Sequence, residues 1–282
     1  MATTADVLAD ALERFLDDLD LFCERAHRAS KRRALAPIER KLERAMQRAF
    51  RRQGRLFVQR FGALRGEFSE ALNEGKWLAI WLTVTMETGQ LFEDPIQVAA
   101  RAALLAAGTS MARDLRAGEI IGSFDLKNPR AVAYLREHGA ALVTRINETT
   151  REEIKRIVTQ GVDEGWSYDR MAKEITKRFE EFAIGKPQQH IRSRAHLVAV
   201  TEAGEAYEAG NWIVAQDLRD AGVEMEKYWS TMGDDRVSAG CQANQADGWI
   251  PIDQEHSSGH MHPLRFPGCR CDELFQRVGS GG

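Results

Sequence analysis

Through residue 218, apolar side chains return at steps of three and four residues. Val7/Leu8, Leu12, Phe15/Leu16, Leu19 and Phe22/Cys23 are followed by Leu42, Met46, Phe50, Phe57, Phe61 and Leu64. That period belongs to helices with one buried stripe and admits little else. It predicts an amphipathic helix capped by Thr3 or Thr4 and a second helix entered at Pro37, where proline suits a first turn. Trp77–Met86 and Val98–Leu115 read as two more helices with Pro95 at the turn between them. Gly118–Pro129 is the clearest linker. Pro129–His138, Ala140–Gln160, Tyr168–Phe182 and an alanine-rich Arg192–Leu218 continue the helical series. Thr149/Thr150 before Glu152/Glu153 resemble a capping signal inside it, and Gly185-Lys-Pro marks a break.

Alternation begins only after Val223. Val223–Thr231, with Val, Met and Tyr set against Glu, Glu and Trp, predicts a strand, Met232-Gly-Asp-Asp a turn, Trp249–Ile252 a short strand and Glu273–Val278 a last one. The expected fold is mainly α: long helices with a small C-terminal α+β module containing β-hairpin elements. Residues 1–120 are read as a basic helical N-terminal domain, and 121–282 as a second domain whose β-containing end covers about 223–278.

At 282 residues the chain is long enough to bury a core without disulfide staples, and its 43% hydrophobic and 29% charged content is that of an ordinary globular protein. The longest apolar run, Trp77–Met86, is too short to span a bilayer, so no membrane partner is expected. The acidic first residues do not resemble a secretory signal.

The net charge of −3 conceals a segregation. Residues 1–24 carry −6, residues 25–65 carry +12 and the remainder −9. A block this basic suits phosphate contact, and Arg28, Lys31, Arg32, Arg33, Arg40, Lys41, Arg44, Arg48, Arg51, Arg52 and Arg55 are its candidate contacts. A solvated face, or a surface that pairs with an acidic neighbour, remains the alternative. Phe50, Phe57 and Phe61 fit a buried stripe better than a base-stacking platform.

No GxxxxGK[ST], GxGxxG, HExxH or GxSxG occurs, so the commonest nucleotide, zincin and hydrolase chemistries lack support. The chemistry-bearing residues gather instead at the C-terminus: Cys241, His256, His260, His262, Cys269 and Cys271. Cys269 and Cys271 would share one face of a strand, and with Cys241 and His262 (or His260) could offer four N/S donors to a structural zinc. The other reading is a set of small buried or loop residues. Asp234, Asp235 and Glu202 beside histidines leave a metal-dependent nuclease, or a toxin-like effector, as an alternative function.

These residues also form an ordered series. Arg194-Ala195, Thr201-Glu202, Ala206, Gly210-Asn211, Tyr228-Trp-Ser-Thr, Asp234-Asp-Arg, Cys241 and Cys269-Arg-Cys271 resemble the phage head morphogenesis domain of Mu-type minor head proteins of tailed bacteriophages. So do Phe124-Asp-Leu, Asn128-Pro, Tyr134-Leu, Gly161 and Gly165-Trp-Ser upstream. The resemblance spans about 124–278. Two features depart from the family pattern: Ser238 stands where a first cysteine is common, and Phe266 where a histidine is. The resemblance implies a structural, non-enzymatic virion protein, assembled in the host cytoplasm and placed in the capsid interior or at the portal vertex. Its implied partners are the portal, other capsid proteins and packaged double-stranded DNA bound without sequence preference.

Overall fold

The computed structural model describes residues 4–67, 75–185 and 192–278, with side chains from Phe22 onward except 138–142. The proposed Thr3 cap and the side chains of the acidic first stripe lie outside that description. Helix α1 (Thr4–Phe61) leads through a 3-10 turn (Gly62–Glu67) towards α2 (Lys76–Asp114). A short α3 (Gly118–Ile121) precedes α4 (Pro129–Asp163), α5 (Tyr168–Ile184) and α6 (Arg194–Asp220). The C-terminal module then follows: β1 (Met225–Ser230), α7 (Ala239–Ala246), β2 (Ile250–Pro251) and β3 (Asp272–Arg277). The fold is mainly helical with a small antiparallel sheet, as the periodicity predicts. No helix among the described residues is long and apolar enough to cross a membrane.

Two expected helix boundaries do not exist. Pro37 lies inside α1 and Pro95 inside α2, so four expected helices are two. Each proline removes one N–H and frees the carbonyl four residues earlier. Pro37 is exposed and Pro95 half-buried, both lining grooves beside α1 that water can reach. Packing on the opposite faces holds the helices through. Likewise 129–163 is one helix. Thr149 and Thr150 cap nothing; their hydroxyls donate back to the carbonyls of Arg145 and Ile146, each at 2.7 Å.

Real stops have better chemistry. Gly165, at φ 63°, closes α4: Trp166 N–H reaches the Gly161 carbonyl at 2.8 Å and Gly165 N–H the Val162 carbonyl at 3.2 Å. Ser167 then caps α5 by accepting from Arg170 N–H, and Ser193 caps α6 through His196 N–H.

The largest core cluster joins Leu42, Met46, Phe50, Phe57 and Phe61 of α1 to Trp81, Phe92 and Ile96 of α2, Ile154 of α4, Phe179 of α5 and Ala199 of α6. It therefore draws on residues from both sides of position 120. The three phenylalanines are core, not a platform for bases. Phe50 meets Phe92 edge-on at 5.2 Å, an arrangement worth ~1 kcal/mol beyond burial. Between α2 and α6 the spacing is closer still. A Cβ on Gly210 would stand 2.5 Å from the Leu104 carbonyl, so α6 requires a hydrogen there.

In the sheet, β1 lies between β2 and β3, with Lys227 opposite both Ile250 and Phe275. The inward face is Met225, Lys227 and Trp229, while Tyr228 turns out against Trp249 at 5.5 Å. Sequence alternation sets Tyr228 with Met225 and Trp229 with the glutamates, and the structure reverses that grouping. The reason is Lys227: a lysine occupies an inward position, donating to the Met261 carbonyl at 2.6 Å and lying over the Trp212 ring.

Candidate functional site: a basic ridge, a buried clamp and three thiols

Three arrangements carry chemistry, and they are connected. The first is the exposed side of α1. Arg33, Arg40, Lys41, Arg44, Arg48, Arg52 and Arg55 are exposed and make no hydrogen bond or ion pair with another described residue. At ~100° per residue they fall within one third of the helix circumference, and Arg40 to Arg55 spans about 22 Å. A groove of about 570 Å³ runs alongside, between Arg48, Arg52 and Arg55 of α1 and Leu91 and Pro95 of α2. Arg51, on the same side, is bonded to Glu180 at 3.0 Å.

The second arrangement uses the other face. Lys31 lies about two and a half turns before Arg40, hence opposite the ridge. It is buried: Nζ donates to Glu208 of α6, to the Cys271 carbonyl at 2.9 Å and to Asp272 at 3.2 Å. His27 Nε2 stands 3.2 Å from the other Asp272 oxygen. Arg28 donates to Ser230 Oγ at 3.0 Å and to the Thr231 carbonyl at 2.6 Å. These contacts bolt α1 to the C-terminal module. Burial alone would lift the Asp272 carboxyl, but Lys31 and His27 overcome it and hold the group well below the usual carboxylate range. Burial would likewise depress His27; Asp272 outweighs it and raises that imidazole. Glu208, fully desolvated, is pushed well up.

His27, Glu208 and Asp272 escaped the sequence reading. One signal existed: Glu208 is an acid in an otherwise apolar stretch, Ala206 to Gly210, and had to meet a cation.

The third arrangement is the thiol cluster. Cys241 sits in the first turn of α7, capped by Ser238; Cys269 and Cys271 flank Arg270 at the entry to β3. All three are buried, and their sulfurs lie within 4.8 Å of one another, with Cys241 and Cys269 at 4.0 Å. They form the only group of three or more metal-donor side chains among the described residues. The Cys271 thiol supports Cys269 as a thiolate and takes it down to about 5, while Cys271 itself moves far up.

His262, expected as fourth donor, is not in this cluster. Its Nδ1 is 2.6 Å from the Pro263 carbonyl and its ring packs on Trp212 at 5.5 Å. His260 contacts Ser258 instead. His256 is bound to Glu273 at 2.8 Å under Trp229. Asp234 pairs with Arg270 at 2.8 Å, and Asp235 is exposed. Each of these groups is engaged in a different place.

The motif residues nevertheless converge. Thr201 Oγ accepts from Gly268 N–H at 3.0 Å, fastening the cysteine loop to α6. Trp229 covers the sulfurs, and Asp234 ties its turn to Arg270 between the two cysteines. Arg194 is a core cation, 4.7 Å from the Phe182 ring centre, with burial lowering it to about 10. What these residues define is a helical scaffold whose recurring positions hold a small module in place.

The comparison with known families agrees. Residues 152–274 match the family described as Phage Mu protein F like protein, so this part of the chain is similar to that phage family. No curated protein and no solved structure gives a significant match.

Proposed function

We propose that this chain is a structural, non-enzymatic head protein that acts in capsid assembly at the portal vertex and touches packaged DNA through the α1 ridge. The observation that carries the DNA reading is the row of unpaired cations from Arg33 to Arg55. Internal partners neutralise Lys31 and Arg28; along the ridge only Arg51, held by Glu180, is paired among the described residues. Cations ~6 Å apart along a helix match a phosphate backbone and carry no information about base sequence. The likeness of residues 152–274 to the Phage Mu protein F like family supports a place in the phage head.

The test is a titration of the protein against random-sequence duplex DNA across salt concentrations. Affinity should fall steeply with salt, and log affinity against log salt should flatten by about one unit for each contacting ridge cation removed. Binding that is indifferent to salt would reject the ridge as the contact. Plasmid nicking by wild type that is lost in His262→Ala and Asp235→Ala would favour the nuclease reading.

The thiol cluster supplies three donors for a soft cation such as zinc, with Cys241, Cys269 and Cys271 as thiolates. A fourth ligand would come from outside this set. Cobalt(II) added to the reduced protein should give thiolate-to-metal absorption that disappears in Cys269→Ser. Unchanged spectra on cobalt addition would leave the cluster as packing alone.

A further inference from the structure

The N-terminal half of α1 has a second repeat that neither the ridge nor the clamp uses. Leu8, Leu12, Phe15, Leu19, Phe22, Ala26 and Ala29 alternate at steps of four and three through three heptads. That is the spacing of a coiled-coil seam. Helix α1 is continuous from Thr4, so residues 8–29 form one helical stretch of roughly 30 Å. Of the seam residues with described side chains, Phe22 is 68% exposed and Ala26 is exposed, while Ala29 is half-buried beside the groove that Lys31 and Asp272 line. A phenylalanine left in water forfeits most of the hydrophobic gain its burial would yield. Lys31 lies on the opposite side of the helix, so the clamp and the seam use different faces.

Charge selects the occupant. The seam runs from a segment of −6 into one of +12. Two copies aligned in parallel would set acid against acid and arginine against arginine. Reversed, they set the acidic half of each against the basic half of the other. With Phe22 opposite Leu19, the same register brings Asp18 opposite Arg25 in the flanking positions that fix orientation in coiled coils. Arg25 is exposed and makes no hydrogen bond or ion pair with another described residue. We infer that residues 8–29 of α1 pair antiparallel with the same segment of a second copy, forming a symmetric dimer through a contact separate from the DNA-binding ridge.

Light scattering on the full chain tests this, with circular dichroism to show that every variant remains helical. The wild type should give twice its 31.7 kDa mass. Phe22→Glu should return it to monomer. Asp18→Arg alone and Arg25→Asp alone should each raise the concentration needed for dimerisation at least tenfold, because each sets like charges face to face. Carried together in one chain, they should restore the dimer. A wild type that stays monomeric throughout overturns the proposal. So does a dimer that survives Phe22→Glu, or a double variant no better than the singles, which would mean that another contact or another register is responsible.

Discussion

Two stretches of one helix carry the same charge and meet opposite fates. Between His27 and Lys31 the cations of α1 are drawn into the molecule and bonded to Glu208, Asp272, Ser230 and Thr231. Between Arg33 and Arg55 they stand in water, with only Arg51 paired. Composition cannot separate the two stretches. Phase on the helix can, because a shift of two residues turns a side chain through ~200°. A basic segment thus holds its own fold together at one end and offers charge to a partner along the rest.

The largest effect should come from breaking the buried end. Lys31→Ala leaves the Asp272 and Glu208 carboxyls without their shared cation in a dry site, and removing one partner of such a pair costs about 3–5 kcal/mol. Arg44→Ala, one exposed ridge charge, should stay within ~0.5 kcal/mol. Urea unfolding of both variants decides the matter; equal effects would erase the distinction.

The next test inverts the readout. Replacing Arg40, Arg44, Arg48, Arg52 and Arg55 together with alanine should leave stability close to wild type. It should nevertheless remove most DNA affinity at moderate salt and lower the salt slope by about five. Lys31→Met, which keeps the volume without the charge, should do the reverse, lowering the unfolding midpoint while leaving the salt slope unchanged.

These contrasts show what could be read in advance. Helical character was legible throughout, because the three–four period of Phe50, Phe57 and Phe61 admits one solution. The ends of helices were not legible at Pro37 and Pro95, where tertiary packing overrides a local breaker, nor at Thr149, whose hydroxyl found its own helix. At the thiols, the clustering of Cys241, Cys269 and Cys271 was visible as density along the chain. The exclusion of His262 was not, since Trp212 and the Pro263 carbonyl that hold it are fixed only by the folded loop. Charge partners more than a hundred residues away, such as Glu208 for Lys31, leave no local trace beyond an acid in apolar surroundings.

Proton linkage offers a milder perturbation of the buried end. His27 has its pKa raised in the folded state, so its contribution is complete below the ordinary histidine range and is lost as pH rises through the folded value. Asp272 has its pKa depressed, so its contribution is present above the ordinary carboxylate range and lost on strong acidification. The His27 contribution should therefore be lost as pH rises above the ordinary histidine range, and Glu208, whose pKa is also raised, lowers stability in the same direction of pH. His27→Gln should make the alkaline limb shallower and leave the acid limb unchanged. An alkaline limb as steep as the wild type's in that variant would remove His27 as the titrating group.

A smaller effect than that of the buried clamp should come from Arg51, the one ridge residue that resembles the buried end. It holds Glu180 of α5 through its Nε, with both side chains about a third to a half exposed. Water screens such a pair, and holding two long side chains in one geometry costs entropy, so Arg51→Ala should lose no more than about 1 kcal/mol. Its DNA slope should change less than that of Arg52→Ala, because Glu180 already neutralises it. If instead Arg51 and Arg52 contribute equally to the slope, phosphate displaces Glu180 on binding. The border between the two kinds of charge on α1 would then be set by the partner as well as by the fold.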